Sequence, residues 1–339
     1  MFSNTTSFNN MSSFNNDMNV LHSSIKFWIY LVILVPSIIC SLFVLYYLLL
    51  DKNLRRGLNN HTIIVLIFIC LICQVTIYPW MLYFYKNGNH WHRTLTLCRI
   101  WGFIDWGFYI TQAIIFAWTS IERHILIFHD LWVATRKKRF FIHYLPLILL
   151  MLYCLMFYSL VYFFPFCKHA VLYNAALCID NCLYDNYAFY IWETIVHQIL
   201  PNLMIVIASI ALLSRILRQK HRVHQRIQWR KHRKMAIQLL SISFLYLIFS
   251  FPNTIMILMY LCGLTYNIGR NVKIYAEFFS YLVILFFPFV CILSLPELRK
   301  KIKRILLLRP TATSVYPKTF TIRCNINTQH ISILENKVQ

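Results

Sequence analysis

The sequence predicts an all-α membrane protein: a seven-transmembrane-helix bundle followed by a C-terminal amphipathic surface helix. Three observations predict it. Of the 339 residues, 59% are hydrophobic and 13% charged, roughly half the charged share of a soluble domain. Seven apolar runs lie near 27–50, 62–84, 97–121, 140–165, 188–214, 235–261 and 274–295, and a helical crossing takes about 20 predominantly apolar residues. Basic clusters recur between these runs. Groups of three (Lys52, Arg55, Arg56), five (Arg123 and the run from Arg136 to Arg139), nine (Arg215 to Lys234) and nine (from Arg299 on) hold 26 of the 33 Lys and Arg. If each run crosses once, all four groups face the same side, as the positive-inside bias requires.

The elements follow in order. Residues 1–24 form an Asn/Ser-rich tail, expected to be extracellular, with no basic start and no apolar core, so no cleavable signal peptide is expected. Asn4 and Asn10 begin glycosylation acceptor triplets there. Residues 25–295 hold the bundle; an odd number of crossings puts the termini on opposite sides, and the charge rule puts the N-terminus outside and the C-terminus in the cytoplasm, with the plasma membrane as the expected site. A closed barrel is excluded, because its strands need only 9–11 residues of alternating polarity. Residues 296–308 change character: Leu298, Ile302, Ile305 and Leu306 share one helical face while Arg299 to Arg304 bring five bases, a pattern for lying on an anionic membrane surface. Residues 309–339 are expected to be a loose cytoplasmic tail, with Cys324 as a plain or acylated thiol.

The charge of +22 does not point to nucleic acid, since no base-reading or stacking module accompanies it. His221 and His224 lack a third ligand, and neither a His-Glu-x-x-His helix nor a nucleophile elbow occurs. Accordingly no enzyme activity, cofactor or metal is expected. Cys40, Cys70, Cys73, Cys154 and Cys291 lie inside apolar runs, where a small buried hydrophobe is the ordinary reading. Cys98, Cys167, Cys178 and Cys182 lie opposite the basic clusters, where oxidation is possible.

Spacing carries a resemblance. Trp91 stands seven residues before Cys98, and Cys98 stands 25 before Arg123, which is flanked by Glu122 and His124. Pro79, Pro201, Pro252 and Pro288 punctuate the second, fifth, sixth and seventh runs, and Ser294 to Lys300 lead into the surface helix. Over about residues 25–308 the chain resembles the rhodopsin-like G-protein-coupled receptors. It departs from their pattern at Cys70 (usually a sodium-binding Asp), at Phe287-Pro288-Phe-Val-Cys291, at Phe249-Ser250-Phe251-Pro252 and at Ser209. His232 stands where some members place a clamping acid. Those departures argue against sodium inhibition and remove the tyrosine part of the usual switch.

The resemblance implies a site at each end of the third run. Glu122 is expected to pair with Arg123 at rest, and motion of the sixth helix to free the guanidinium for a heterotrimeric G protein; Pro252 and Pro288 belong to the same switch. The plainer alternative for Arg123 is a snorkelling anchor. At the other end Asp105, seven after Cys98, stands where amine and some peptide receptors hold a ligand ammonium, with Tyr281 opposite to orient it. Glu193 is eight before Pro201 and Glu277 eleven before Pro288, so three carboxylates are expected to converge there. Their alternative is internal pairing, with Lys273 or Arg270 above Glu277, or protonation. Trp101 and His197 complete the candidate ligand-binding set. By its 19-residue distance from Pro201, Cys182 is the partner the resemblance gives Cys98, with Cys178 as rival and Cys167–Cys178 as the second bridge.

The function this implies is a receptor in the lipid bilayer that binds an extracellular cationic ligand, a neuropeptide-like peptide before an amine, and activates a G protein. A chemosensory receptor for a small molecule is the alternative within the class. A transporter or channel is the alternative outside it, though no internal repeat supports that.

Overall fold

A computed structural model describes residues 5–55, 57–87, 94–128, 135–167, 170–171, 179–222, 226–265 and 268–306. Helix α1 runs Thr5–Leu50, with Ser23–Leu50 as its apolar span. Next come α2 (Asn60–Asn87), α3 (Leu95–Leu126), α4 (Arg136–Phe163) and α5 (Tyr187–Arg215). Helix α6 consists of Ile237–Phe249 and Phe251–Leu261, bent by 48°, and α7 is Arg270–Ser294. The terminal helix α8 is Pro296–Leu306. Among the described residues six helices are thus long and apolar enough to cross a membrane, and the bent pair supplies a seventh. Helix α1 starts at Thr5, inside the stretch assigned to a tail, while its span begins where that tail was expected to end. Most helices gather in one compact unit, Met1–Lys301; of a second, Ile302–Gln339, the last turn of α8 is described.

The helix starts are written in side chains. Thr94 accepts from the Leu97 N–H at 3.3 Å to open α3, and Thr135 from Lys138 to open α4. Asn186 takes the Ala188 and Phe189 N–H groups at the start of α5. Each satisfies donors a helix leaves open. At the far end of α6, Gly263 at φ 99° turns the chain, and Leu264 N–H reaches Met259 O at 3.0 Å. That paired closure wants a left-handed residue, which glycine supplies without strain.

Proline explains the bend in α6 and the continuity of α7. Pro252 has no N–H for Ile248 O, so the ladder lapses there. Pro288 likewise leaves Ile284 O without its helical donor, but Gln74 of α2 donates to that oxygen at 3.2 Å. Ser37 of α1 donates to Leu285 O at 2.7 Å, and Gln74 also donates to Ser37 Oγ and accepts from Ser41. In an apolar medium such replacement bonds keep a proline-containing helix whole. Among the described residues, the π-helical stretches Phe103–Phe108, Phe140–Tyr144 and Thr194–Ile199 widen α3, α4 and α5. The last two precede Pro146 and Pro201, whose rings would crowd a regular turn.

Helix α3 is central. Of the spanning windows of α3 and α7, 61% is buried, against 17% for α4. Outward-facing side chains such as Val32, Met156, Ile207 and Phe244 are large, apolar and exposed; a continuous apolar exterior marks a surface that meets lipid. The interior instead holds aromatic contacts, for example Phe116 of α3 stacked on Tyr246 of α6 at 4.7 Å.

Candidate functional site

Both candidate regions sit on α3, at opposite ends. Cys98 and Arg123 belong to one helix, and 25 residues at 1.5 Å rise separate them by about 37 Å, more than the hydrocarbon core of a bilayer.

At the Arg123 end, Glu122 and Arg123 are 2% and 3% exposed, so neither is a surface side chain. The carboxylate has a partner the sequence reading did not name: a hydrogen bond joins His143 Nδ1 of α4 to Glu122 Oε1, with His143 equally buried. The acid is thus held across to α4 as well, while it also acts electrostatically on Arg123. His143 also lies 5.7 Å from the His61 ring, and Tyr144 hydrogen-bonds His61 Nδ1 at 3.2 Å, tying α2 into the same cluster. His124 Nε2 contacts Ala208 O of α5 at 2.7 Å. Ser209 donates to Ser243 at 2.7 Å, linking α5 to α6 where the family's tyrosine is missing. The basic loop between α5 and α6, His232 included, lies outside the described side chains.

At the other end, Asp105 is 6% exposed and Tyr281 donates to its Oδ2 at 2.8 Å. A second tyrosine, Tyr78 of α2, donates to Tyr281 O at 2.6 Å, fixing that stretch of α7. Glu277 is exposed, one turn above Tyr281, and interacts electrostatically with Asp105, Lys26 and Lys273. Lys273 does not close on it; its Nζ donates to Asn253 of α6 at 2.8 Å.

The third acid is elsewhere. Glu193 is 1% exposed and accepts from Tyr158 of α4 at 2.7 Å and from Gln198 at 3.1 Å. Glu193 thus follows the internal-pairing alternative, because the face of α5 that carries it turns toward α4. His197 shares that face: Tyr153 OH meets its Nε2 at 2.8 Å, and Phe157 and Trp192 pack on its ring. Trp101 is also interior, 1% exposed against Trp80 of α2.

Between α3, α5 and α6 lies a cavity of about 10 Å³, enough for about one water. It is lined by Tyr109, His197, Gln198, Asn202, Ser250 and Asn253 among others. Ser250 donates to Asn202 Oδ1 at 3.4 Å and lies 3.4 Å from Tyr109 OH, so polar groups converge at the bend of α6. By the resemblance Ser250, Asn253 and Thr254 replace residues that usually stack on a ligand amine, and all three line this cavity; Asn202 was passed over, and a polar side chain opposite a proline break was the available signal.

The disulfide expectation is also corrected. Cys182 pairs with Cys167, at a Cα separation of 6.0 Å, not with Cys98. The cause is local: Ala170–Val171 and Ile179–Asp180 pair antiparallel, Ala170 opposite Asp180, which folds the loop back and brings its flanks together. Cys98 is disulfide-bonded to a partner outside the described residues, where Cys178 also lies. Asn4 and the side chain of Asn10 fall outside them too.

The family described as 7 transmembrane receptor (rhodopsin family) matches residues 41–295. No curated protein matches the chain.

Proposed function

Because the chain belongs to the rhodopsin family of seven-transmembrane receptors, whose members are receptors and not enzymes, we propose that it binds an extracellular cationic ligand, a peptide before an amine, and activates a heterotrimeric G protein. The observation that carries this reading is the continuity of α3. One helix holds Asp105, presented by Tyr281, near one end and the buried Glu122–Arg123 pair at the other. Movement at the first can reach the second through a rigid element.

The basic clusters support an orientation with the N-terminus outside and α8 in the cytoplasm, at the plasma membrane. Asn4 and Asn10 are then available for glycosylation. Elimination leaves Cys178 as the partner for Cys98 on that side. Arg123 suits coupling because its guanidinium stays charged and offers a rigid fork of donors. Breaking the Glu122–His143 contact is the step that releases this end, with the α6 bend at Pro252 as the moving part and Pro288 as the fixed one.

The test is a cell-based G-protein activation screen with cationic peptides and amines, run on the parent, Arg123→Ala and Asp105→Asn. Arg123→Ala is expected to abolish signalling while binding is kept, and Asp105→Asn to weaken binding tenfold or more. Equal responses from all three overturn the assigned roles. Ligand-independent current or solute flux in place of a G-protein response favours a transporter or channel.

A further inference from the structure

Helix α7 places Lys273, Glu277 and Tyr281 four residues apart, on one face. With 1.5 Å rise per residue, Glu277 stands about 6 Å and Lys273 about 12 Å above Tyr281, which holds Asp105. Lys26 of α1 enters from the side, its Nζ 5.9 Å from the ring centres of Tyr85 and Phe278. Both ammonium groups feel Glu277. Yet among the described residues Glu277 makes no ion pair within 4.0 Å and no side-chain hydrogen bond. Two acids and two bases are therefore gathered at this end of α3, α7 and α1 without an ion pair among them.

A ligand carrying only positive charge gains from Asp105 and Glu277 but is repelled by Lys26 and Lys273, and the formal charge of the four groups is zero. A ligand with a cation below and a carboxylate above satisfies both levels. We propose that the outer pocket is built for a zwitterion: a short peptide ending in a basic residue with its carboxylate free, the side-chain cation on Asp105 and Glu277 and the carboxylate on Lys26 and Lys273. The rise of about 6 Å from Tyr281 to Glu277, and again from Glu277 to Lys273, matches the reach of one extended basic side chain. This rests on the pocket reading above and adds the anionic half.

The probe is a set of di- and tripeptides ending in Lys or Arg, each made as free acid and as amide, read by thermal stabilisation of the purified full-length receptor. This readout needs no G protein, since a ligand that binds the folded state raises its melting temperature. Free acids are expected to bind at least tenfold tighter than their amides. Lys273→Gln and Lys26→Gln are expected to erase that preference, since the free acid loses a cationic partner and the amide loses a repulsion, whereas Asp105→Asn weakens both forms. Among the described residues the Lys26 side chain makes no hydrogen bond, so its variant keeps the test open if Lys273→Gln melts early. Amides binding as well as free acids, or lysine variants that keep the preference, overturn the anionic subsite and leave the Asp105 reading intact. A set in which neither form binds overturns the ligand class. Free-acid binding without G-protein activation contradicts the signalling role and supports this proposal.

Discussion

Tyr158 shows how a single side chain decides the fate of a buried acid. Its hydroxyl donates to Glu193 at 2.7 Å, and the other carboxylate oxygen has only Gln198. Tyr158→Phe keeps the ring and deletes the donor, so the carboxylate loses half its support in a medium without water. The expected cost is about 1–3 kcal/mol, seen as a lower melting temperature of the purified receptor. Adding Glu193→Gln is expected to recover part of it, because the amide is cheaper to leave under-bonded than the anion; strict additivity in that double-mutant cycle would mean the two do not interact. The sequence disclosed that Asp105, Glu122 and Glu193 are unusual, since an acid inside an apolar run stands out. Through the resemblance it supplied one partner, Tyr281 for Asp105, and not the others. Tyr158 and His143 sit on a different helix from the acids they meet, and which residues meet depends on helix rotations that spacing along the sequence does not contain.

For the elements, prolines were legible as positions and illegible as consequences. Pro252 and Pro288 looked alike in the sequence, yet α6 bends by 48° at one and α7 continues through the other because Gln74 supplies the missing donor. The π-helical stretches escaped the reading because apolar periodicity is too coarse to register one extra residue per turn. The terminal helix offers a quantitative case. Leu298 of α8 is fully buried, while Lys301 pairs with Asp51 at 2.6 Å with both side chains about a quarter exposed, at 28% and 25%. Exposed pairs are worth about 0–1 kcal/mol, and truncating a buried leucine about 2–5 kcal/mol. Leu298→Ala is therefore expected to lower the melting temperature far more than Lys301→Ala. The reverse order would mean that the ion pair, with the Tyr47 ring 4.3 Å from Lys301 Nζ, is what anchors α8.

At the level of the whole molecule, the architecture was written in composition and spacing. Seven long apolar runs needed no structure to be recognised, and the 25 residues between Cys98 and Arg123 placed both on one helix. The loop between α4 and α5 was not readable in the same way. Counting back from Pro201 assigned Cys182 to Cys98, whereas a two-residue ladder closes the loop and pairs Cys182 with Cys167. Distances along a rigid helix survive folding; distances along a loop do not. The account depends on α3 crossing the membrane once, with the Asp105 pocket facing out and Arg123 facing the cytoplasm. Labelling of single cysteines by an impermeant maleimide tests that directly. Lys86→Cys, exposed at the Cys98 end, and Lys137→Cys, exposed at the Arg123 end, are placed separately in a background with Cys262 and Cys324 changed to Ser. Lys86→Cys is expected to label on intact cells and Lys137→Cys only after permeabilisation. Labelling of both on intact cells, or of Lys137→Cys alone, would contradict the account.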